Sequence, residues 1–206
     1  MCNRCSCSNH LIINSPILIS NEIYRLLPFD QSHPLALNRI VPVIGLAQSL
    51  NWLDESQYKE SSIASVDMLA RYHDIDYVEA VLSAENNRCI PVTLGKRYNL
   101  GRHGNSYFSK IFTRPATTAG ASILAGQLLA DNEEGVIFSP AGGNHHAKKN
   151  QASGFCIFND PVLGILSMLD NGLKRVLYVD LDAHHGDGVQ EEFQHDDRVF
   201  GISIHE

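Results

Sequence analysis

The chain has 206 residues, of which 44% are hydrophobic and 19% are charged, and these proportions predict an ordinary globular domain with its own core. Its formal net charge of −7 argues against nucleic-acid binding through a broad basic face. No run approaches the roughly 18 consecutive apolar residues of a membrane-spanning helix, and residues 1–19 lack the apolar stretch of a secretory signal. We therefore expect a cytoplasmic protein that binds neither membranes nor nucleic acid.

The five cysteines are unevenly placed, with three near the start of the chain and two, Cys89 and Cys156, standing alone. An odd number without an export signal predicts reduced thiols. Cys2, Cys5 and Cys7 could together bind a metal, but no second Cys/His cluster follows at zinc-finger spacing. We favour a flexible tail over residues 1–10 and one domain over residues 11–206, and the role of the three cysteines stays open.

The first part of the chain predicts short helices and one strand. Weak periodicity and many Gly, Asn and Arg residues indicate that residues 88–114 are mostly loop. Pro42 is tolerable in a helix only within its first turn, and Ser65 is a good N-cap. The predicted elements are a strand over residues 16–19, a helix over 38–50, a helix starting after Ser65 and a helix over 77–84.

Strands alternate with helices from residue 117 onward. Pro161 fits the first turn of a helix that Asn171 and Gly172 end. This alternation predicts right-handed crossovers and a parallel α/β sheet, with its chemistry at the carboxyl ends of the strands. The elements are helices over residues 117–129, 161–170 and 189–193, strands over 136–138, 176–179 and 199–204, and a glycine- and histidine-rich loop over 139–154.

The strand over residues 176–179 runs into a dense group of acidic and histidine residues. Alternate residues of an extended chain share one face, so Asp180, Asp182 and His184 can project together. Their placement at the end of a buried strand is costly unless a bound cation compensates. Because zinc takes carboxylate oxygens and imidazole nitrogens, Asp182 and His184 are candidate ligands. A strand end with solvated polar groups is the structural alternative.

A second group follows the strand over residues 136–138. Gly142 and Gly143 let the backbone approach a ligand closely, and His145 and His146 can act as general base and acid if carboxylates orient them. A His-His pair by itself is more often a surface feature. Beside a predicted zinc site, these histidines become candidates for activating a water molecule. No Gly-x-Ser-x-Gly nucleophile elbow competes with them.

Together these residues resemble the histone deacetylase family, which also contains bacterial acetoin-utilisation proteins and acetylpolyamine amidohydrolases. The most specific matches are residues 145–160 and 178–189. Earlier matches are His33-Pro34-Leu35 with Arg39, Tyr72-His73 and Asp76-Tyr77-Val78. The resemblance implies a three-layer α/β/α fold, arginase/deacetylase-like, with a mostly parallel central sheet. Residues 11–206 would be the N-terminal part of a single deacetylase domain that is incomplete at its C-terminus.

The resemblance also implies roles for the metal-binding residues. Asp182 and His184 would be zinc ligands, with Fe²⁺ as an alternative metal. A structural potassium ion would lie at the same strand end, although an ordinary strand end stays open for its last two ligands. The potassium candidates are Asp180, Asp182, His184, Ser203 and Ile204.

The catalytic residues implied by the resemblance form two pairs. His145 would pair with Asp180, and His146 with Asp187. His146 would be the more direct proton shuttle. The implied substrate-binding residues are Gly154 and Phe155, which would line a narrow tunnel for an acyl-lysine-like chain, and Arg39, which would lie near the acetate-release channel.

The implied reaction is metal-assisted hydrolysis of acetylated lysine, or of a small acetylated amine, to acetate and a free amine. The family's third zinc ligand, an aspartate, and its oxyanion-stabilising tyrosine have no counterpart in the sequence. We therefore expect this chain alone to be inactive, and a longer protein or a complementing piece to be the enzyme. The alternatives are a non-catalytic fragment with a binding or regulatory role and an arginase-like hydrolase with two manganese ions. The sequence does not indicate the oligomeric state.

The loop over residues 95–115 departs from the family in its charge. Family members that act on histone tails or polyamines commonly place a carboxylate near this rim. If the loop forms the rim, we expect a neutral or anionic amide to be preferred over a polycationic one. A solvated basic loop is the alternative. The loop has no acidic residue and contains Lys96, Arg97, Arg102, His103, Lys110 and Arg114.

Overall fold

The computed structural model describes residues 15–26, 39–132 and 134–206. The tail predicted over residues 1–10, with its three cysteines, lies outside the described residues, as does the His33-Pro34-Leu35 motif. Arg39 and every other predicted site residue lie within them.

All described strands pair in parallel, as predicted. β1 (Ile17–Ser20) lies between β2 (Tyr58–Glu60) and β3 (Ile137–Phe138), and β4 (Val176–Asp180) pairs with β5 (Val199–Ser203). The strands form two sheets, because no described strand pairs with both β3 and β4. The parallel α/β class is therefore confirmed, and the central sheet is present as two separate parts within the described ranges.

Helices connect these strands, and two of them begin as predicted, one after the Ser65 cap and one with Pro161 in its first turn. The Ser65 hydroxyl accepts a hydrogen bond from the Met68 N–H at 3.2 Å, and Asn159 caps the helix that contains Pro161. No helix in the described ranges has the length and apolar composition that crossing a membrane requires. The helices are α1 (Ile40–Ser49), α2 (Val66–Leu69), α3 (Ile75–Asn87), α4 (Val92–Tyr98), α5 (Thr113–Ala130), α6 (Asp160–Asp170) and α7 (Asp187–Phe193).

The helix α4 lies in a segment predicted to be loop, and the prediction is wrong there. Gly95 counts against a helix in the sequence, because glycine weakens helix interiors. In the structure, a Cβ at this position would lie 2.9 Å from the Leu100 carbonyl oxygen. The glycine therefore permits the following loop to pack against the helix, and this tertiary contact outweighs the low helix propensity.

The contact between α5 and α6 forms the centre of the core. A Cβ on Gly126 would lie 2.7 Å from the Gly164 carbonyl oxygen, so the two helices approach closely at small residues. The Ser167 hydroxyl donates to the Ile123 carbonyl oxygen across the same contact at 2.9 Å. Because α6 also packs on β4, this core holds the carboxyl end of β4 in place. Fully buried side chains of the same core include Tyr77, Phe158, Val162 and Leu163.

One face of the β4–β5 pair is uncovered within the described ranges. Leu177 and Val179 of β4 lie opposite Phe200 and Ile202 of β5, and all four side chains are exposed. The other face packs against α6 and α7. The pair therefore carries a helix layer on one side only among the described residues.

Candidate active site

The first part of the site lies at the carboxyl end of β4. Asp180 accepts a hydrogen bond from Nδ1 of His145 at 2.7 Å, and both side chains are almost fully buried. The Tyr178 hydroxyl at 2.6 Å and the Asp182 N–H at 3.1 Å donate to the same carboxylate. Burial alone would raise the pKa of Asp180, but these donors hold the pKa below its usual range. An ionised carboxylate only accepts hydrogen bonds, so Nδ1 of His145 carries the proton.

The second part is formed by His146 and Asp187, the first residue of α7. Nδ1 of His146 lies 2.7 Å from Asp187 Oδ1, and Nζ of Lys148 lies 2.7 Å from Asp187 Oδ2. Burial alone would raise the pKa of Asp187, but Lys148 and His146 hold the pKa below its usual range. The His145 and His146 rings lie side by side, with 4.0 Å between their centroids. The structure thus brings both predicted His–Asp pairs together.

Asn159 and Asp160, which had no predicted role, hold residues 139–154 in place. We call this segment the histidine loop. The Asn159 side-chain amide donates to the His145 carbonyl oxygen at 3.1 Å. Asp160 accepts hydrogen bonds from backbone N–H groups of the loop, including that of Asn144 at 2.8 Å, and burial raises its pKa. The sequence signal for them is a polar Asn-Asp pair that directly precedes the apolar positions of α6.

The predicted metal ligands, Asp182 and His184, lie on the exposed side of the buried pair. His184 Nδ1 lies 3.0 Å from Asp182 Oδ1, and the two side chains are 78% and 53% exposed, respectively. Nε2 of His145 lies 3.9 Å from the same oxygen. A carboxylate oxygen and an imidazole nitrogen that converge in this way fit two of the three protein positions around a catalytic zinc. Within the described ranges, no group of three or more His, Cys, Asp or Glu side chains is arranged to hold a metal ion.

Ser203 and Ile204, the remaining candidates for the potassium site, lie beside Asp180. Ser203 is the register partner of Asp180 in the β4–β5 pair, and the Ile204 N–H donates to the Asp180 carbonyl oxygen at 2.9 Å. The Ser203 hydroxyl also accepts from the Gly186 N–H at 3.3 Å. The structure therefore gathers these residues at one strand end, and the ion itself stays a prediction.

Gly154 and Phe155 lie beside His146, as a tunnel wall would require. A Cβ on Gly154 would lie 2.3 Å from Cδ2 of His146, so only glycine permits this approach. Phe155 has a φ of 66° and is partly exposed. Arg39, by contrast, is exposed just before α1, and no hydrogen bond or ion pair joins it to the described site residues. Its place near an acetate-release channel stays a prediction.

Comparison with known proteins now identifies the family. A family model for the histone deacetylase domain matches residues 33–206. The chain belongs to the histone deacetylase family. This membership confirms the predicted resemblance.

Similar histone deacetylase family members come from bacteria and plants. The acetoin utilization protein AcuC of Bacillus subtilis is 32% identical over 190 residues, which cover 92% of this chain and 49% of that protein. Histone deacetylase 6 of Arabidopsis thaliana is 36% identical over 185 residues, covering 86% of this chain and 38% of that protein. The crystal structure of a histone deacetylase homologue from Aquifex aeolicus matches with a TM-score of 0.85 and 36% identity, covering 93% of this chain and 51% of that one. The chain thus spans about half the length of these relatives, or less.

Proposed function

We propose that this chain contributes the acid–base residues and two metal ligands of a metal-dependent deacetylase. The observation that carries the proposal is the pair of adjacent His–Asp hydrogen bonds, each 2.7 Å long, beside Asp182 and His184. The substrate is an acetylated lysine or a small acetylated amine, and the products are acetate and the free amine. Membership of the histone deacetylase family supports this reaction class.

Zinc, or Fe²⁺, would be held by Asp182 and His184 and would polarise the acetyl carbonyl and lower the pKa of the attacking water. His146 removes a proton from that water through Nε2, since Asp187 occupies its Nδ1. The same nitrogen then protonates the leaving amine. His145 stays oriented by buried Asp180 and stabilises the charge that develops beside it.

We further propose that the third metal ligand and an oxyanion-stabilising group come from other residues, in a longer polypeptide or in a separate piece. Two protein ligands bind zinc weakly, and the loss of an oxyanion donor typically lowers the rate about 10²–10³-fold. The uncovered apolar face of the β4–β5 pair offers a surface for such residues to pack on. The 206 residues alone are therefore proposed to be inactive. A structural potassium ion near Asp180, Ser203 and Ile204 belongs to the same proposal.

A protein that joins this chain to the second half of the Aquifex aeolicus homologue tests the function. We expect the joined protein to release acetate from an acetyl-lysine peptide when it is supplied with zinc or Fe²⁺, and to lose activity on chelation. Asp182→Asn should remove both metal retention and activity, whereas Arg175→Gln, at the amino end of β4, should change neither.

Three outcomes separate the alternatives. A folded, metal-loaded joined protein that releases no acetate contradicts the deacetylase proposal. Hydrolysis by the 206-residue chain alone, with stoichiometric metal, contradicts the proposed need for further residues. If both proteins bind the peptide and neither hydrolyses it, a non-catalytic binding or regulatory role is favoured.

A further inference from the structure

The segment over residues 86–130 contains no aspartate or glutamate, although the whole chain has a net charge of −7. Six of the 16 lysines and arginines lie in this segment. Acidic residues are therefore concentrated elsewhere, and this part of the molecule is locally positive. The six cations are Arg88, Lys96, Arg97, Arg102, Lys110 and Arg114.

The middle of this segment, residues 99–106, is a compact loop held against the histidine loop; we call it the rim loop. The Phe155 N–H donates to Oδ1 of Asn105 at 2.9 Å, and the Asn99 side-chain amide donates to the Ala152 carbonyl oxygen at 2.9 Å. Asn105 is 2% exposed, and its own amide donates to the Asn99 carbonyl oxygen at 3.2 Å. The rim loop is thus fixed to the residues that follow His146.

Gly104 makes the closest approach of the rim loop to the site. A Cβ at Gly104 would lie 2.5 Å from Cε1 of Phe155, and the residue has a φ of 85°. Phe155 follows Gly154, which in turn lies against His146. The two residues that precede Gly104, Arg102 and His103, are exposed. Arg102 and His103 are therefore joined directly to the residue of the rim loop that contacts Phe155 in the wall of the proposed tunnel.

The charge of Arg102 is not neutralised by a nearby carboxylate. Arg97 is partly compensated by Asp76, with 3.4 Å between Nη2 and Oδ2. Arg114 donates to backbone carbonyl oxygens, including that of Ile23 at 3.0 Å. Arg102 forms no ion pair within the described ranges.

Two acidic side chains of the proposed active site, Asp187 and Asp182, are already engaged. Asp187 is held by Lys148 and His146, and Asp182 lies 3.0 Å from His184 at the proposed metal position. A substrate that extends from the tunnel over the rim loop would therefore meet an uncompensated positive charge on that side.

We propose that the rim loop selects acetylated substrates that carry acidic residues next to the acetylated amine, and disfavours polycationic ones. The proposal rests on the deacetylase function proposed above, because it names the substrate class of the same site. At low ionic strength, one charge pair about 10 Å apart in water changes affinity about twofold, so several flanking charges together give about tenfold.

The test compares three acetyl-lysine peptides of equal length, flanked by glutamate, glutamine or lysine. We expect kcat/KM of the joined protein to be about tenfold higher for the acidic than for the basic peptide, and the ratio to shrink as salt is raised. Arg102→Gln should remove most of this ratio, because every flanking charge loses its partner, and Arg102→Glu should reverse the preference. The matched control Arg175→Gln removes the same charge at the amino end of β4 and should leave the ratio unchanged.

Binding of the same peptides to the 206-residue chain, followed by fluorescence anisotropy, gives a readout that does not depend on hydrolysis. Tighter binding of the acidic peptide that Arg102→Glu abolishes supports the inference. Equal affinity for all three peptides, or an equal effect of Arg175→Gln, overturns it. Hydrolysis of all three peptides by the joined protein at equal kcat/KM would overturn the inference while leaving the deacetylase proposal intact. Preferential binding of the acidic peptide by a metal-loaded joined protein that hydrolyses none of the peptides would contradict only the deacetylase proposal.

Discussion

The two His–Asp pairs have the same hydrogen-bond length but different surroundings. The His145 and Asp180 side chains are 6% and 5% exposed, whereas those of His146 and Asp187 are 18% and 38% exposed. Neutral donors, including the Tyr178 hydroxyl, complete the hydrogen bonding of Asp180. The ammonium group of Lys148 completes the hydrogen bonding of Asp187. Burial therefore distinguishes two pairs that share one geometry.

The difference indicates how one loop can serve stability and catalysis together. A buried pair contributes to folding because removing one partner leaves the other without its hydrogen bond in an apolar setting. A partly exposed pair contributes little to folding and stays accessible to substrate and water. We therefore propose that the buried pair serves orientation and charge stabilisation and that the partly exposed pair transfers the proton.

The largest expected effect is on catalysis by the exposed pair. His146→Asn in the joined protein should lower kcat by about 10²–10⁴-fold, because the proton-transferring imidazole is lost. The unfolding midpoint should move little, since this ring is partly exposed. Steady-state kinetics and urea unfolding on the same preparation check both parts. A loss of kcat matched by a large loss of stability would contradict the division of roles.

The next largest effect is on the stability of the buried pair. Asp180→Ala should destabilise the fold by about 3–5 kcal/mol, because the His145, Tyr178 and Asp182 donors lose their acceptor. Asp187→Ala is the matched change at the exposed pair and should cost about 1 kcal/mol or less. Urea unfolding of the two variants measures the difference. Equal losses of unfolding free energy would contradict the proposal that burial makes the first pair more important for stability.

A second buried histidine, His73, has hydrogen bonds with backbone groups where His145 has one with a carboxylate. His73 is 2% exposed, and its Nε2 accepts the Asn159 N–H at 3.0 Å. Burial lowers the pKa of His73 from 6.5 to about 4, so the unfolded chain takes up a proton at a higher pH than the folded one. Stability should therefore fall as the pH drops from 6.5 toward 4, by about 3 kcal/mol in total.

The His73 variant His73→Gln should lose this contribution to the pH dependence, whereas His195→Gln, at an exposed position, should keep it. Unfolding midpoints at a series of pH values provide the measurement. An unchanged slope in His73→Gln would show that other groups cause the acid sensitivity.

The smallest expected effect concerns the glycine beside the exposed pair. Gly154→Ala places a Cβ 2.3 Å from Cδ2 of His146, so the ring must shift, and we expect kcat to fall about tenfold. Gly172→Ala is the control, because Gly172 has a φ of 105° but no atom within 4 Å of its Cβ position. It imposes backbone strain without displacing the histidine, so kcat should stay unchanged. Equal losses of kcat in both variants would show that backbone strain, and not the contact with the His146 ring, lowers the activity.

Much of the fold follows from local sequence patterns. The continuous apolar run over residues 176–179, the Ser65 cap of α2 and Pro161 in the first turn of α6 predict elements that the structure contains. The helix α4 is different, because its formation depends on Gly95 packing against Leu100. Local propensity does not include that contact.

The site was predictable to the extent that its residues form recognisable motifs. The alternation at the end of β4 and the His-His pair predict the participating residues, and the family resemblance predicts how they pair. The supporting contacts of Lys148 and Asn159 were not predicted, because they join positions far apart in the sequence. Both residues lie inside the family motif over residues 145–160, but the sequence does not show which residues they contact. The structure shows these partners.

Solvent exchange of the two Nδ1 protons, observed by proton NMR on the folded chain, tests whether the two His–Asp pairs differ in their accessibility to water. We expect two low-field signals, one lost in Asp180→Asn and the other in Asp187→Asn. The His145 signal should exchange slowly with water and the His146 signal distinctly faster, because only the second pair is partly exposed. Equal exchange rates, or signals that survive loss of their aspartates, would contradict the division of roles between the two pairs.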